Sequence, residues 1–548
     1  MSLKDLTKYY LDKIPNIVLI PVHSNIEIFP SYPLFGKREI LCGPKLQNID
    51  TGERKCIRTS GRFFDIDEVL SQLNENDRNI DLVVSVLQTS TTCFPKNLYK
   101  LDCPKIAIIA DTHHLLYAIS PIIQYIKREN YAHIIKASQP AHLHFFYEAG
   151  ITHSAFYPPI ALQFKNVKNK KNGVTFIGKR WSSPQLRRSR MVQFLEKKLS
   201  QHNIPFHHYD RLPYFKWLKV LSRSKMIVIS SLNGQFTPQI HSCLFAGALC
   251  FIDELSSQTF LYQFFEPDKH LVTWSSFEDL LEKIIYYYNN PTEAEIIAKA
   301  GKFQAENNFP TSESFALTIS KFVFENMIDP RMLAINDARS QQKRVESPEY
   351  FNARVRLYEN IQELHRIHES LTLISLTEKN LNPLADLADL PRLKITNAFF
   401  SDNSKKIADL YFHRVGVNHQ IETIIINKLH KSHLYNIGIL EKQEDNIKWK
   451  MSIKLISKFL KKNSLLWILG NISTSDIEIL SKEGFKLYVF KNNHITLKIK
   501  KLSRKVCYFF WKIGKFPFPY LTLKPAMGMA PHLNVFLRGW QGHFPQCY

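Results

Sequence analysis

Short apolar runs alternate with helical patterns through the first 330 residues, and this alternation limits the possible folds more than any other feature of the sequence. Most of the runs are continuously apolar, which is typical of parallel strands covered on both faces. Strand–helix alternation predicts an α/β fold with right-handed crossovers. The strand candidates are Asn16–Val22, Asp81–Leu87, Lys105–Ala110, Val174–Ile177, Lys225–Ser230 and Ala248–Asp253. The helix candidates between them include Ile119–Glu129, Pro184–Leu199 and Pro238–Phe245.

A polar and basic run, QFKNVKNKKNG at positions 163–173, separates two sets of strands and helices. We therefore predict an N-terminal domain over residues 1–163 and a second domain over residues 164–330. The alternative is a long surface loop within a single sheet, but one sheet with this many strands would be unusually wide. The length of 548 residues agrees with three or four domains of about 150 residues each.

The rest of the chain is predicted to contain a connector, a third α/β domain and a tail. Residues 331–389 have the pattern of a charged helical connector, and residues 390–500 return to the α/β pattern. Residues 501–548 are basic and aromatic, and no core position is predicted for them. The strand candidates of the third domain are Arg392–Ala398, Tyr435–Leu440 and Leu465–Leu469, followed by a predicted hairpin of Phe485–Phe490 and Ile495–Ile499.

The composition is that of an ordinary globular protein, with 45% apolar and 22% charged residues. No apolar run approaches the roughly 20 residues that a membrane span needs. The first residues, MSLKDLTKYYLDKIP, lack an apolar signal core, so secretion by that route is not expected. The eight cysteines are scattered without metal-ligand spacing, which favours reduced thiols in a cytoplasmic protein.

The net charge of +23 is concentrated near the C-terminal end. Residues 451–548 contain 16 Lys or Arg and 3 Asp or Glu. Within them, residues 498–515 (KIKKLSRKVCYFFWKIGK) mix cations with aromatic side chains, a composition suited to the anionic surface of an inner membrane. Nucleic acid could be bound by the same phosphate contacts and stacking but is the less favoured partner. A solvated tail is the structural alternative.

Two predicted strand-to-helix turns have the chemistry of anion sites. Val174–Ile177 is followed by Gly178, Lys179 and Arg180, and then by a helix start at Ser183 and Pro184. The basic pair would then lie beside free backbone N–H groups at a positive helix end, which favours bound phosphate.

The second turn follows the strand candidate that ends at Ser230, with Asn233 and Gly234 ahead of Thr237 and Pro238, a second N-cap and first-turn pair. Gly234 would let the backbone approach a ligand closely. Both turns should lie at the carboxyl edge of a parallel sheet, where open α/β sheets bind ligands. The alternative is that these caps and small residues serve folding alone.

Residues 174–330 resemble the donor-binding half of two-domain (GT-B) glycosyltransferases of group 1, in particular the spore-maturation (CgeB-like) type. The resemblance is carried by VTFIGKRWSSPQLRRSR, by SSLNGQFTPQIHSCLFAGALCFIDE and by YQFFEPDKHLVTWSSFEDLLEKIIYYYNNPTEAEIIAKAGK, in this order. Residues 105–160 resemble the end of the N-terminal domain in the same group, through IIADTHH and FFYEAGITHSAFYPP. The implied fold is two Rossmann-like domains, here followed by the connector and a smaller Rossmann-like domain.

The resemblance implies a hexosyltransferase-like enzyme that uses a UDP- or GDP-type nucleotide sugar and holds an acceptor between the two domains. That acceptor would be a glycan, a lipid-linked molecule or a protein. Lys179 and Arg180 would meet the donor diphosphate next to Gly178, and the segment 233–237 with the following helix would form the other donor-facing turn. Many relatives carry two glutamates at the positions of Gly234 and Ser242. Gln239, His241 or Glu254 could replace the missing contact with the ribose.

Asp111 and His113 are the catalytic candidates, since they follow the strand candidate Lys105–Ala110 at the edge that should face the cleft. A carboxylate or a histidine can act as the base for the acceptor hydroxyl. Cations and helix N-termini can stabilise the departing diphosphate without a metal, so no metal or other cofactor is predicted. The structural alternative makes Asp111 a turn residue and lets His113 bind backbone.

Residues 390–500 weakly resemble the later half of class I methyltransferases, through LYNIGILEKQED and LLWILGNISTSDIEILSKEGFKLYVFKNNHITLK. The cofactor loop of that class should be glycine-rich, whereas RLKITNAFFSDN has no glycine. A degenerate Rossmann-like domain is therefore predicted. The competing hypothesis for the whole chain is a non-catalytic GT-B-like protein that binds carbohydrate or assembles with partners, which the two missing glutamates favour.

Overall fold

The computed structural model describes most of the chain and confirms the predicted α/β fold class. Its secondary structure forms three mainly parallel sheets of nine, five and seven strands. The described residues are 13–22, 35–87, 93–109, 112, 119–136, 142–157, 170, 172–178, 186–210, 212–231, 234, 236–256, 259–308, 312–327, 333–334, 348–367, 370–378, 381–430, 434–469, 472–488 and 533–538.

The first sheet contains the strands that were predicted as continuous apolar runs in the N-terminal part. Its strands are β1 (Ile17–Pro21), β2 (Arg38–Gly43), β3 (Ile49–Asp50), β4 (Arg54–Arg58), β5 (Leu82–Leu87), β6 (Lys105–Ile109), β7 (His133–Lys136) and β8 (His153–Phe156). They lie in the order β8-β7-β6-β5-β1-β2-β4-β3, and all of these pairs are parallel except β3 with β4. The helices of this part are α1 (Ile66–Leu70), α2 (Ser120–Arg128) and α3 (Leu143–Glu148), with short 3-10 turns at Asn76–Arg78 and Leu98–Lys100.

The second sheet is fully parallel, in the order β10-β9-β11-β12-β13. The domain boundary predicted at 163–173 stays a prediction. The strands are β9 (Asn172–Ile177), β10 (Phe206–Tyr209), β11 (Ser224–Ile229), β12 (Leu249–Asp253) and β13 (Val272–Trp274). The helices are α4 (Leu186–Gln201), α5 (Tyr214–Arg223), α6 (Pro238–Phe245), α7 (Leu261–Phe264), α8 (Phe277–Asn289), α9 (Pro291–Asn308) and α10 (Ser312–Phe324).

The chain returns to the first sheet after the second one. Helix α10 belongs by sequence to the predicted second domain, yet its Phe315, Ile319 and Phe322 pack in the same hydrophobic core as Val18 and Leu82 of the first sheet. The short strand β14 (Leu333–Ala334) then pairs antiparallel with β8 at the sheet edge. The polypeptide therefore crosses between the two sheets twice.

The third sheet has the order β17-β16-β15-β18-β19-β21-β20, in which β21 is antiparallel to both neighbours. Its strands are β15 (Leu371–Leu376), β16 (Leu393–Phe399), β17 (Ile421–Ile425), β18 (Tyr435–Glu441), β19 (Leu460–Leu469), β20 (Phe485–Tyr488) and β21 (Leu533–Arg538). The helices are α11 (Pro348–Ile367), which precedes the sheet, α12 (Asn382–Leu387), α13 (Asp402–Arg414), α14 (Asn446–Phe459) and α15 (Thr474–Lys482), with a 3-10 turn at Ile426–Lys428.

Two predictions about the C-terminal part need correction. The predicted helical connector 331–389 contains β15, an interior strand of the third sheet. This six-residue apolar run lies between charged segments, where a strand and a helical segment cannot be distinguished by periodicity. The predicted tail 501–548 contributes β21, which pairs antiparallel with both β19 and β20 within the third sheet. The predicted hairpin partner of β20, Ile495–Ile499, lies outside the described residues, as do 498–515, so the hairpin stays a prediction.

The first and third sheets share one hydrophobic core, and α11 lies within it. Tyr358 and Ile361 of α11 belong to the same cluster as Ala107 of β6 and Leu373 of β15. The buried carboxylate of Glu359 accepts hydrogen bonds from the backbone N–H of Ile119 (2.7 Å), from that of Ser120 (3.1 Å) and from the Ser120 hydroxyl (3.0 Å), at the start of α2. The third sheet is therefore fixed against the first through α11. Across the described parts of the chain, every helix is too short or too polar to cross a membrane.

Candidate functional site

The two strands that lead into the predicted ligand-facing turns end side by side at the carboxyl edge of the second sheet. Strands β9 and β11 are neighbours, with Phe176 paired to Val228. The side-chain amide of Gln239, in the first turn of α6, donates to the carbonyl oxygen of Ile177 at the end of β9 (2.9 Å). The start of α6 is therefore fixed next to the turn that follows β9.

The cap predicted at the start of α6 is present in the backbone. Thr237 is the N-cap residue with an extended conformation (φ −78°, ψ 148°), and Pro238 is the first helical residue. Within the described part of the chain, the buried Thr237 hydroxyl has no hydrogen-bond partner, and the same is true of the Ser230 hydroxyl at the end of β11. A buried polar group without a partner costs free energy unless a ligand or water completes it. These two hydroxyls therefore mark the edge as a place for a polar ligand.

The other predicted donor-contacting residues have mixed outcomes. Gly178 is described, and its carbonyl oxygen accepts a hydrogen bond from His208 Nε2 (2.9 Å). The basic pair Lys179 and Arg180 lies outside the described residues, and so does Asn233. Their contacts with a donor stay predictions.

Gly234 packs closely against the third domain. Its φ of +73° lies in the left-handed region, which favours glycine. A Cβ atom at this position would lie 2.5 Å from Cδ of Pro391, at the entry to β16 of the third sheet. A proline of the third domain therefore occupies the side of Gly234 where a side chain would lie, and the predicted contact of Gly234 with a donor stays a prediction.

His241 lies inside the core of the second sheet. It is 2% exposed, and its ring packs against Phe236 with the centroids 4.6 Å apart. Burial lowers its pKa well below the ordinary value, so the ring is neutral at physiological pH. The predicted contact of His241 with the donor ribose would therefore be made by a neutral ring, and it stays a prediction.

Asp253 is the residue that the sequence analysis missed. This fully buried carboxylate ends β12 and accepts hydrogen bonds from the backbone N–H (2.8 Å) and hydroxyl (2.9 Å) of Ser231. It also forms an ion pair with Arg187 of α4 (2.9 Å), whose guanidinium lies over the ring of Trp274. Asp253 therefore ties the end of β12 to the turn after β11 and to the start of α4. The sequence signal that could have identified Asp253 is its position as the acidic last residue of the otherwise apolar run LCFID.

The catalytic candidates Asp111 and His113 lie outside the described residues, but Thr112 between them is described and buried. Its hydroxyl shares a hydrogen bond with His142 Nδ1 (2.6 Å), and His142 Nε2 contacts the hydroxyl of Tyr358 in α11. Tyr358 donates to Asp389 of the third domain (2.8 Å). This buried chain connects the predicted catalytic turn to the segment that carries Pro391.

Residues 162–313 are similar to a sequence family described as glycosyl transferase-like. The match covers 152 of the 548 residues and includes the whole second sheet. A comparison with curated protein sequences finds no significant match. In the part of the chain that the structure describes, no cluster of His, Cys, Asp and Glu side chains has the arrangement of a metal site.

Three solved structures of 10–11% sequence identity are similar to the chain. Sucrose-phosphate synthase from Thermosynechococcus elongatus is 10% identical with a TM-score of 0.41, covering 56% of this chain and 98% of that one. HepE from Anabaena in complex with UDP-glucose is 10% identical with a TM-score of 0.39, and the match covers 57% of this chain and 98% of HepE. TarM is 11% identical with a TM-score of 0.34, and the match covers 45% of this chain and 55% of TarM. These similarities assign no substrate to the present chain.

Proposed function

We propose that this protein is a GT-B glycosyltransferase that moves a hexose from a UDP- or GDP-type nucleotide sugar to an acceptor held between the first and second sheets. The observation that carries the proposal is the family match over residues 162–313, which covers the sheet whose two candidate turns are adjacent. Neighbouring strand ends and a helix start form the usual ligand-binding edge of an open α/β sheet.

The donor diphosphate binds at the turns after β9 and β11. The N-terminus of α6 supplies the positive end of the helix dipole. Lys179 and Arg180 supply the opposing charge, and the hydroxyls of Ser230 and Thr237, which lack partners among the described residues, complete the polar contacts. These groups stabilise the departing diphosphate without a metal.

Asp111 or His113 acts as the base that takes the proton of the acceptor hydroxyl. Support comes from the position of their turn after β6, and from the buried Thr112 hydroxyl that anchors it to His142. The CgeB-like type rests on the sequence resemblance, and contact of residues 498–515 with an anionic membrane surface rests on their mixture of cations and aromatic side chains.

The third domain is proposed to have lost methyl-donor binding. Its first strand is β15, so the loop that would meet a methyl donor is the stretch TEKNLNP at 377–383, which has no glycine. The close backbone approach that a glycine-rich loop allows is therefore missing. A structural role in the enzyme is the better explanation.

A second function is supported by one observation. Gly234 and Ser242 replace the two glutamates of many relatives, and Gly234 is packed against Pro391. This arrangement suits a non-catalytic protein that keeps the fold and binds carbohydrate or assembles with partners.

A thermal-shift screen of the full chain against UDP- and GDP-sugars separates the two functions. A ligand at 100 times its Kd stabilises the folded state by about 2.7 kcal/mol, which such a screen detects. The transferase proposal expects at least one donor to bind, with weaker binding after Lys179→Ala or Arg180→Ala. Lys197→Ala is the matched control, because it removes an exposed cation within α4. This variant should bind the donor as the wild type does. Failure of every donor to bind would favour the non-catalytic function.

A further inference from the structure

A cavity of about 750 Å³ lies between the second and third sheets. On one side it is lined by the loop after β12, from Glu254 to Ser256, together with Tyr262 and Trp274. On the other side it is lined by residues 390–396 around the start of β16 and by residues 418–422 around the start of β17. The volume falls in the range of small-ligand sites and can hold several sugar rings.

The third domain is anchored at this cavity by direct contacts with the second sheet. Gln420 donates its side-chain amide to the hydroxyl of Ser256 across the junction (2.9 Å). The Arg392 guanidinium lies 3.9 Å from the Asp253 carboxylate, the group that holds the turn after β11. The cavity therefore has two fixed walls and borders the edge where the donor diphosphate is proposed to bind.

The chemistry of the lining matches a neutral, hydroxyl-rich ligand. The carboxylates of Glu254 and Glu422 are balanced by the cations Arg392 and Lys394, so the walls carry no strong excess charge for a phosphate-bearing ligand. Carboxylate, guanidinium and amide groups form hydrogen bonds with hydroxyls in both directions. The side-chain amide of Asn418 adds an exposed donor and acceptor to the same lining.

The partly exposed ring of Tyr262 in the same wall adds apolar surface for the face of a sugar ring. Tyr262 is partly buried, and its hydroxyl accepts a hydrogen bond from the backbone N–H of Leu255 (3.0 Å), which fixes the ring in the wall. Aromatic surface combined with a few placed polar groups is the usual composition of a small-molecule site.

We propose that this cavity binds the non-reacting sugars of a neutral glycan acceptor, so that the third domain supplies acceptor recognition. The inference rests on the proposed sugar transfer and names the acceptor class. Binding of remote sugars would place the acceptor hydroxyl at the donor, and binding energy of this kind can lower the barrier of the reaction.

The test uses the full chain and a panel of neutral gluco-, manno- and galacto-configured trisaccharides, with affinity measured by saturation-transfer NMR and calorimetry. Asn418→Trp fills the cavity from one wall and Lys394→Trp fills it from β16, and both side chains are exposed, so folding should be retained. Asn446→Trp, an exposed position at the start of α14 away from the cavity lining, is the matched control.

The expected result is that at least one trisaccharide binds and that both cavity variants bind it at least about tenfold more weakly, while Asn446→Trp binds as the wild type does. Nucleotide-sugar binding should be unchanged in all three variants. No binding across the panel, or equal binding by a folded cavity variant, would overturn the proposal. Glycan binding without nucleotide binding would refute sugar transfer but leave the cavity assignment standing.

Discussion

Replacing Gly234 by alanine tests whether the third domain is packed on the candidate donor turn. The added Cβ would lie 2.5 Å from Cδ and 2.6 Å from Cγ of Pro391, and the backbone φ is +73°. A left-handed conformation costs a non-glycine residue about 1–2 kcal/mol. Overpacking against a rigid ring adds about 1–3 kcal/mol. The variant should therefore lose about 2–5 kcal/mol of unfolding free energy.

Gly52→Ala is the matched control for the backbone part of this cost. Gly52 has a φ of +82° and no atom within 4 Å of the position of a Cβ, so only the conformational cost of about 1–2 kcal/mol is expected. Adding Pro391→Ala to Gly234→Ala removes both crowded ring atoms. The extra loss of unfolding free energy in Gly234→Ala, relative to Gly52→Ala, should then be recovered. Urea unfolding measures these free energies. Equal losses in Gly234→Ala and Gly52→Ala, or no recovery in the double variant, would refute the contact.

Three further substitutions test the polar contacts. Asp253→Asn should cost about 3–5 kcal/mol of unfolding free energy, because it leaves the Arg187 guanidinium without its buried carboxylate; a loss below about 1 kcal/mol would contradict this. Burial lowers the pKa of Lys170 from 10.5 to about 8. The folded state therefore binds fewer protons between these pH values, and the stability of the wild type relative to Lys170→Met should rise with pH across that window. A stability difference between the wild type and Lys170→Met that stays constant from pH 8 to pH 10.5 would contradict this prediction. Tyr358→Phe removes the hydroxyl that donates to Asp389 and should destabilise the protein by about 1–3 kcal/mol. A smaller effect in urea unfolding would show that this bond is dispensable.

The parts of the fold that local patterns determine were predictable from the sequence. Continuous apolar runs placed β5, β6, β11 and β12 within one or two residues of their observed ends, because strands buried on both faces have no polar alternation. The N-cap at Thr237 was predicted for a similar reason, since a cap depends on neighbouring residues alone.

The parts that depend on distant contacts were not predictable from local patterns. Strand β21 is inserted between β19 and β20 although 44 residues separate it from β20 in the chain. Gly234 packs against a proline 157 residues later, a contact that its sequence context does not reveal. The importance of Asp253 follows from partners in the turn after β11 and on α4. Each of these features is created by tertiary packing.

Thr237→Val tests the central claim most directly, namely that the start of α6 binds the donor diphosphate. The hydroxyl has no partner among the described residues, so its replacement by a methyl group of similar shape should leave the unfolding free energy unchanged or slightly higher. A hydrogen bond to a charged group contributes about 1.5–3 kcal/mol, so calorimetric titration with UDP or GDP should show affinity about 10- to 150-fold weaker than that of the wild type. Unchanged nucleotide affinity in the folded variant would contradict the account.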